Sequence, residues 1–355
     1  VRRWGDAFKE HPAGTGPFKL VSREPDVRTV LAVNEKWWDK PKHNVTRATF
    51  MPISNSATRM AALLSGEIDF AQPVPTQDIK RLKGESSVNV IQATEARVIF
   101  LGFDHKRDSM LYGSVKEKNP FKDVRVRKAF YQAIDIETIK SRVMRGASVP
   151  SALMVGAAVR GYQADMNKRL PYDVDAAKKL LADAGYPNGF EVGMNCPNDR
   201  YVNDESICQA VTAMLARIGV KVTLNAMPKA KYFEKAGQTK KYDSSFNMLG
   251  WTPGSGDAWN VLNNIIGCRD ADGKGGTFNY GGYCSKPIAE LAAKILVEGD
   301  VKKRDDLIGQ AFKIAHEEVG LLPLHQQGLA WGVSKKVKIA QRADNQILFY
   351  WAVKE

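Results

Sequence analysis

One turn, residues 247–257, carries the residue types best suited to hold a small molecule. A short apolar run enters it and predicts the end of a buried strand, and the turn that follows is rich in glycine, proline and serine. Glycines such as Gly250 let a backbone approach a guest closely, and Trp251 and Trp259 offer flat apolar walls. Asp257 adds one fixed negative charge. The turn therefore predicts a ligand-binding site at a strand end.

Asp257 is the sharpest candidate in this turn. No lysine or arginine occurs between Gly250 and Gly267, so we expect its carboxylate to lack a partner until a cationic ligand arrives. The alternative is a surface loop whose tryptophans fill the core, with Asp257 capping a helix that begins near Ala258. The local sequence leaves both interpretations open.

The residues of the chain do not assemble into a catalytic motif. The five histidines share no motif with a cysteine or with a Gly-x-Ser-x-Gly elbow, and the cysteines lack the C-x2-C spacing of a zinc or redox site. We therefore expect a binding protein without metal or cofactor, and a hydrolase is the less favoured alternative.

The length and the charge of the chain further limit the class of protein that it can be. A chain of 355 residues that is 44% hydrophobic can bury a large core in two domains or lobes. No apolar run approaches the roughly 18 residues of a membrane helix, so we expect a soluble protein. The net charge of +13 is scattered among acidic residues, without a basic run and interleaved aromatics, and we expect no nucleic-acid partner.

The four cysteines form two local pairs, Cys196 with Cys208 and Cys268 with Cys284. Disulfides are the favoured interpretation if the chain is exported, and buried thiols are the alternative. The second pair is the stronger candidate, because the loop between its cysteines has few apolar side chains to hold it down.

The order of predicted elements indicates an α/β fold. Helices alternate with short strands up to Phe103, Asp123 and Asp173 are expected to cap helices, and residues 190–224 predict a βαβ unit. We predict three segments: 1–106 as a partial lobe I, 107–321 as lobe II, and 322–355 as a return to lobe I.

Five segments, in this order, resemble a known family, the extracellular solute-binding proteins of the dipeptide/oligopeptide/nickel type (family 5) that serve ABC importers. They are residues 14–18 (GTGPF), 34–42 (NEKWWDKPK), 62–69 (ALLSGEID), 121–129 (FKDVRVRKA) and 177–186 (AKKLLADAGY). The resemblance implies the type II periplasmic-binding-protein fold, in which two lobes joined by hinge crossings close on a ligand held between them. It begins well inside the family pattern, so we expect the N-terminal part of lobe I, on the order of one domain, and an export signal to lie upstream.

The resemblance also implies a function and site residues. It implies a periplasmic, monomeric protein, the substrate-binding component of an importer, which delivers a small peptide or amine-bearing solute to membrane permease subunits. The same fold in relatives takes opines, glutathione, nickel complexes or short glycans, and these remain the alternative ligands. Asp257 is implied to hold the ligand ammonium and Arg200 its carboxylate. The further ligand contacts that we expect are Tyr201, Gly250, Trp251 and Trp259.

Overall fold

The computed structural model describes residues 5, 7, 11–237, 241–270 and 275–355. The chain divides into two compact units. Unit 1 comprises residues 1–93 and 329–355, and unit 2 comprises residues 94–328. Within the described residues, no helix combines the length and the apolarity that crossing a bilayer requires.

The strands are numbered in chain order. They are β1 (Phe18–Glu24), β2 (Arg28–Val33), β3 (Arg47–Phe50), β4 (Phe70–Ala71), β5 (Val88–Phe103), β6 (Ser148–Pro150), β7 (Glu191–Pro197), β8 (Lys221–Met227), β9 (Phe246–Trp251), β10 (Leu321–Ser334), β11 (Val337–Lys338) and β12 (Val353–Lys354).

The α-helices are numbered in the same way, and two of them continue into a π-helical turn. They are α1 (Ser56–Ser65), α2 (Ile79–Lys83), α3 (Val124–Ala133), α4 (Ile136–Thr138, continued by Ile139–Val143), α5 (Val174–Asp183), α6 (Asp204–Ala216), α7 (Lys229–Ala236), α8 (Trp259–Val261, continued by Leu262–Ile266), α9 (Lys286–Val297) and α10 (Val301–Glu318).

Unit 1 contains an antiparallel sheet of β1, β2 and β3 and a separate small core. Helix α1 begins at the Asn55 cap, whose side chain accepts the Thr58 N–H, and ends at Gly66 in the left-handed conformation. Its buried face packs Met60 and Leu63 into a cluster with residues of α2, β4 and β5. The end of β10 pairs with β4, which completes this core.

Unit 2 is built on a mixed sheet in the order β10-β5-β9-β7-β8, with β6 pairing β10. Strand β7 runs parallel to β8 and to β9, and β5 runs antiparallel to β9. The predicted βαβ unit is confirmed as β7, α6 and β8. Phenylalanines from several elements form the centre of the core: Phe103, Phe121, Phe130, Phe190 and Phe246. The α/β class predicted from the sequence is confirmed.

Two predicted helix caps are confirmed in unit 2. The Asp123 carboxylate accepts the Arg125 N–H at the start of α3, and the Asp173 carboxylate accepts the Ala176 N–H at the start of α5. The Arg125 guanidinium also pairs with Asp123 at 2.6 Å, which explains both residues as structural.

Both disulfides are present, Cys196–Cys208 and Cys268–Cys284. The first ties β7 to α6 inside the βαβ unit, and the second closes a loop before α9. Part of that loop, residues 271–274, lies outside the described residues.

Both boundaries between the units fall inside strands, after residue 93 in β5 and after residue 328 in β10. Both are long, uninterrupted strands, and nothing in their composition signals a boundary. The segments 1–106, 107–321 and 322–355 and their assignment to lobes I and II stay predictions.

Candidate functional site

A pocket of about 210 Å³ in unit 2 brings several of the predicted ligand contacts together. It lies where β7 and β9 end, because parallel strands present their carboxyl ends at the same edge of a sheet. The predicted residues Arg200, Tyr201, Gly250 and Trp251 all line it. Leu249 and Thr252 of the predicted turn also line it, and the lining residues that the sequence pattern did not indicate are Arg97, Phe233 and Phe278.

Tyr201 forms the floor of this pocket together with Gly250. The tyrosine is buried, and its hydroxyl donates a hydrogen bond to the Gly250 carbonyl at 3.2 Å. Burial raises the pKa of Tyr201, so the phenol stays protonated and keeps donating. A Cβ on residue 250 would lie 2.7 Å from Ile99 Cδ1 and 2.8 Å from Tyr201 Cε1. Gly250 is therefore required for the close packing of Tyr201.

Trp251 and Phe278 form an aromatic wall. Their ring centroids lie 4.7 Å apart, and the Trp251 Nε1–H donates to Asn260 Oδ1 at 2.8 Å. That hydrogen bond satisfies the polar edge of the indole, which fixes the ring and leaves its apolar face for packing. The wall suits an apolar or aromatic group of a ligand.

Arg200 extends from a loop whose backbone is held rigidly. The buried Asp204 carboxylate accepts the N–H groups of Arg200 at 2.8 Å and Tyr201 at 2.9 Å. Burial raises the pKa of Asp204, and these backbone hydrogen bonds act in the opposite direction. The Arg200 guanidinium lies 5.1 Å from the centroid of the Tyr201 ring. Among the described residues, no carboxylate forms an ion pair with it, so it can receive an anionic group.

The second arginine of the pocket, Arg97, has an internal partner in Glu95. The Glu95 side chain is fully buried, its Oε1 accepts a hydrogen bond from Arg97 Nε at 3.0 Å, and Arg97 Nη2 lies 3.0 Å from the same oxygen as an ion pair. Its Oε2 accepts the Gln327 Nε2–H at 2.7 Å. Burial raises the pKa of Glu95 overall, against the opposing effects of Arg97, Gln327 and the more distant Arg200. The sequence offered one signal for this ion pair: Glu95 and Arg97 are two residues apart in a strand, and such side chains lie on the same face.

The expectation that Asp257 has no partner is wrong. Its carboxylate pairs with both terminal nitrogens of Arg304, at 2.8 and 2.9 Å, and Oδ1 also accepts the Trp259 N–H at 2.8 Å. Burial raises the pKa of Asp257, but Arg304 and the Trp259 N–H outweigh it and lower the pKa overall. Arg304 lies in the first turn of α10, far along the sequence, and no local pattern reveals it. The hydrogen bond to Trp259 supports the capping alternative.

Trp259 is also placed apart from the pocket. Its Nε1–H donates to the Ala292 carbonyl at 2.9 Å, which anchors the indole on α9. The ring is half-buried against this helix and does not line the cavity. Of the two tryptophans flanking the turn, Trp251 alone contributes to the candidate site.

The described residues contain no group of three or more histidine, cysteine, aspartate or glutamate side chains arranged to hold a metal ion. The pocket itself offers two arginines, one tyrosine, three further aromatic rings and apolar surface. This combination can bind a carboxylate and pack an apolar group, and it supplies no nucleophile with an adjacent base.

A family profile matches most of the chain. The profile of the "Bacterial extracellular solute-binding proteins, family 5 Middle" matches residues 3–273. The chain belongs to this family. The resemblance seen in the five sequence segments is thereby confirmed.

Curated members of family 5 share about a quarter of their residues with this chain. The dipeptide-binding protein of Escherichia coli is 27% identical over 332 residues, which cover 92% of this chain and 58% of that protein. Heme-binding protein A of Haemophilus influenzae is 26% identical over 340 residues, covering 94% of this chain and 58% of that protein. The chain thus spans less than two thirds of the length of these relatives, which are named for binding.

The fold also matches solved structures. The periplasmic binding protein of Helicobacter pylori in complex with the peptide STSA superposes with a TM-score of 0.85 at 23% identity, covering all of this chain and 67% of that protein. The chain therefore has the fold of the type II periplasmic binding proteins.

Proposed function

We propose that this protein is the solute-binding component of an ABC importer, which captures a small peptide or peptide-like solute and delivers it to membrane permease subunits. Membership of family 5 and the dipeptide-binding relative support this role. The proposal includes a periplasmic location, a monomeric state and the absence of catalysis. The observation that carries it is a cationic, aromatic pocket in which the Arg200 guanidinium has no acidic partner among the described residues.

The pocket would hold the carboxylate end of such a solute. Arg200 would form charge-assisted hydrogen bonds with the carboxylate, the kind of contact in which a guanidinium matches the geometry of two oxygens. An adjacent apolar side chain would pack on Trp251 and Phe278, whose rings lie 4.7 Å apart. The rigid backbone of the Arg200 loop, fixed by Asp204, limits the entropy lost on binding.

Recognition of the ligand ammonium by Asp257 has no support in these contacts. The carboxylate is already neutralised by Arg304 at 2.8 Å, and its oxygens are occupied. A cationic group at this position would have to displace the arginine. We therefore propose that the carboxylate of the solute, and not its amine, is the group that this part of the protein recognises.

A matched pair of peptides tests the proposal. Native mass spectrometry of the protein with a panel of dipeptides and their C-terminal amides should show one-to-one adducts with the acids and at least about tenfold weaker adducts with the amides. Equal binding of acid and amide would contradict recognition by Arg200. Failure to bind any peptide, or release of hydrolysed products, would contradict the proposed function itself.

One observation favours a second class of ligand. The aromatic wall of Trp251 and Phe278, with Tyr201 beside it, suits a flat ring, and one relative is named for binding heme. A ring-bearing carboxylic acid without peptide bonds would use the same Arg200 contact. Adding such acids to the panel distinguishes the two classes, since a non-peptide solute should then outcompete every dipeptide.

A further inference from the structure

A buried ion pair in the pocket wall, Glu95 with Arg97, determines how much charge the pocket presents. Glu95 and Arg97 lie on the same face of β5, and the Glu95 side chain has no exposed surface while that of Arg97 is 13% exposed. Both carboxylate oxygens are satisfied by the protein, one by Arg97 and the other by Gln327. Glu95 is thus a built-in counter-ion that solvent does not reach.

A single amide connects this counter-ion to the loop that carries Arg200. The Gln327 Nε2–H donates to Glu95 at 2.7 Å, and the Gln327 Oε1 accepts the Val202 N–H at 3.0 Å. The second bond fixes which end of the amide faces Glu95, so the carboxylate meets a donor. The network therefore positions both arginines of the pocket relative to each other.

The charges of the pocket can be counted from these contacts. Arg97 and Arg200 are the charged residues among those that line it, and their guanidinium carbons lie 5.5 and 5.1 Å from the Tyr201 ring centroid. Glu95 forms its ion pair with Arg97, and its attraction to Arg200 acts at longer range without an ion pair. The nearby Asp204 accepts backbone N–H groups at the start of α6, where the helix dipole stabilises its charge. Arg200 therefore remains the pocket arginine without an ion-pair partner among the described residues.

We propose that Glu95 is a specificity-determining residue: it occupies the place of a second ligand anion, so that the pocket accepts solutes with one carboxylate beside an apolar group and rejects those with two. This inference rests on the proposed function. A second carboxylate would be removed from water without a free cation to meet it, and an unpaired buried charge is costly. Without Glu95, Arg97 would be free to receive that carboxylate.

The dipeptides Gln-Phe and Glu-Phe test the proposal, because they are isosteric and differ by one charge. In calorimetric titrations the wild-type protein should bind Gln-Phe at least about tenfold more tightly than Glu-Phe. Glu95→Gln should reduce that ratio at least about tenfold. The double variant Glu95→Gln with Arg97→Gln removes both charges and should keep the wild-type preference. Glu191→Gln, which breaks an exposed ion pair with Lys221, is the control and should change nothing.

An unchanged ratio in folded Glu95→Gln would overturn the proposal. A second measurement works without any bound peptide: phenylglyoxal modification of arginines, followed by peptide mass mapping. Arg97 should react much more slowly than Arg200 in the wild type, and Glu95→Gln should accelerate Arg97 alone by about tenfold, since it removes the charge from the hydrogen bond that protects it. Equal Arg97 rates in wild type and variant would overturn the counter-ion role. If Arg97 is protected from phenylglyoxal by Glu95 but the protein binds no peptide, the counter-ion role is supported and only the proposed function is refuted.

Discussion

The ion pair between Asp257 and Arg304 should stabilise unit 2, and Asp257→Asn tests this. The two side chains are 21% and 14% exposed and share two hydrogen bonds. Exposed pairs contribute up to about 1 kcal/mol, and breaking a buried pair costs about 3 to 5 kcal/mol, so this intermediate case should cost about 2 kcal/mol. For a domain of the size of unit 2, the melting temperature should fall by about 4 to 8 °C.

Calorimetric melts of Asp257→Asn, Arg304→Gln and the double variant form the assay. The coupling energy from this cycle should account for most of the loss in either single variant. Asp183→Asn is the control, because its pair with Lys179 is exposed and should contribute less than about 1 kcal/mol. Peptide affinity should stay within about threefold of wild type in all variants. Unchanged melting with lost peptide binding would instead make Asp257 a ligand contact and refute the account of the ion pair.

The lowered pKa of Asp257 adds a pH dependence with a definite sign. Because the folded-state pKa lies below the ordinary value of 3.8, the stabilisation is complete above that value and is lost as the pH falls through the folded-state pKa. The difference in melting temperature between wild type and Asp257→Asn should therefore shrink in acid. A constant difference down to acid unfolding would contradict this.

Three further outcomes are expected. Gly250→Ala should cost about 1 to 3 kcal/mol of unfolding free energy, because the added Cβ overpacks the site. Gly254→Ala is the control and should cost less than about 1 kcal/mol, since no heavy atom lies within 4 Å of an added Cβ there. Equal melting curves of the two variants would contradict the packing role of Gly250. Replacing Cys268 and Cys284, which are 16 residues apart, by serine should cost about 3 kcal/mol, and four reactive thiols in unreduced wild type would contradict the disulfides. Burial lowers the pKa of His325 from 6.5 to about 3, so the unfolding free energy should fall as the pH drops through that interval. Denaturant titrations at a series of pH values measure this dependence, and His325→Phe should make the fall of the unfolding free energy with decreasing pH less steep. The same dependence on pH in wild type and variant would contradict the role of His325.

Local sequence signals predicted the features that depend on neighbours along the chain. The caps at Asp123 and Asp173, the βαβ unit and the pairing of Cys196 with Cys208 all join residues close in sequence.

The contacts that decide the chemistry of the site join residues far apart in sequence. Arg304 lies 47 residues after Asp257, and Gln327 lies 232 residues after Glu95. Spacing and periodicity describe one element at a time, so they cannot show which charge another element brings. For this reason the local pattern indicated an unpaired Asp257 and gave no sign that Gln327 binds the second oxygen of Glu95.

Calorimetric titration of Arg200→Gln tests whether the pocket binds a carboxylate-bearing solute through Arg200. With a dipeptide that binds the wild type one-to-one, the variant should bind about 10 to 100 times more weakly at an unchanged melting temperature, since a hydrogen bond to a charged group contributes about 1.5 to 3 kcal/mol. Arg217→Gln, which loses only an exposed hydrogen bond to Tyr172, should bind like the wild type. Wild-type affinity in Arg200→Gln would contradict the account.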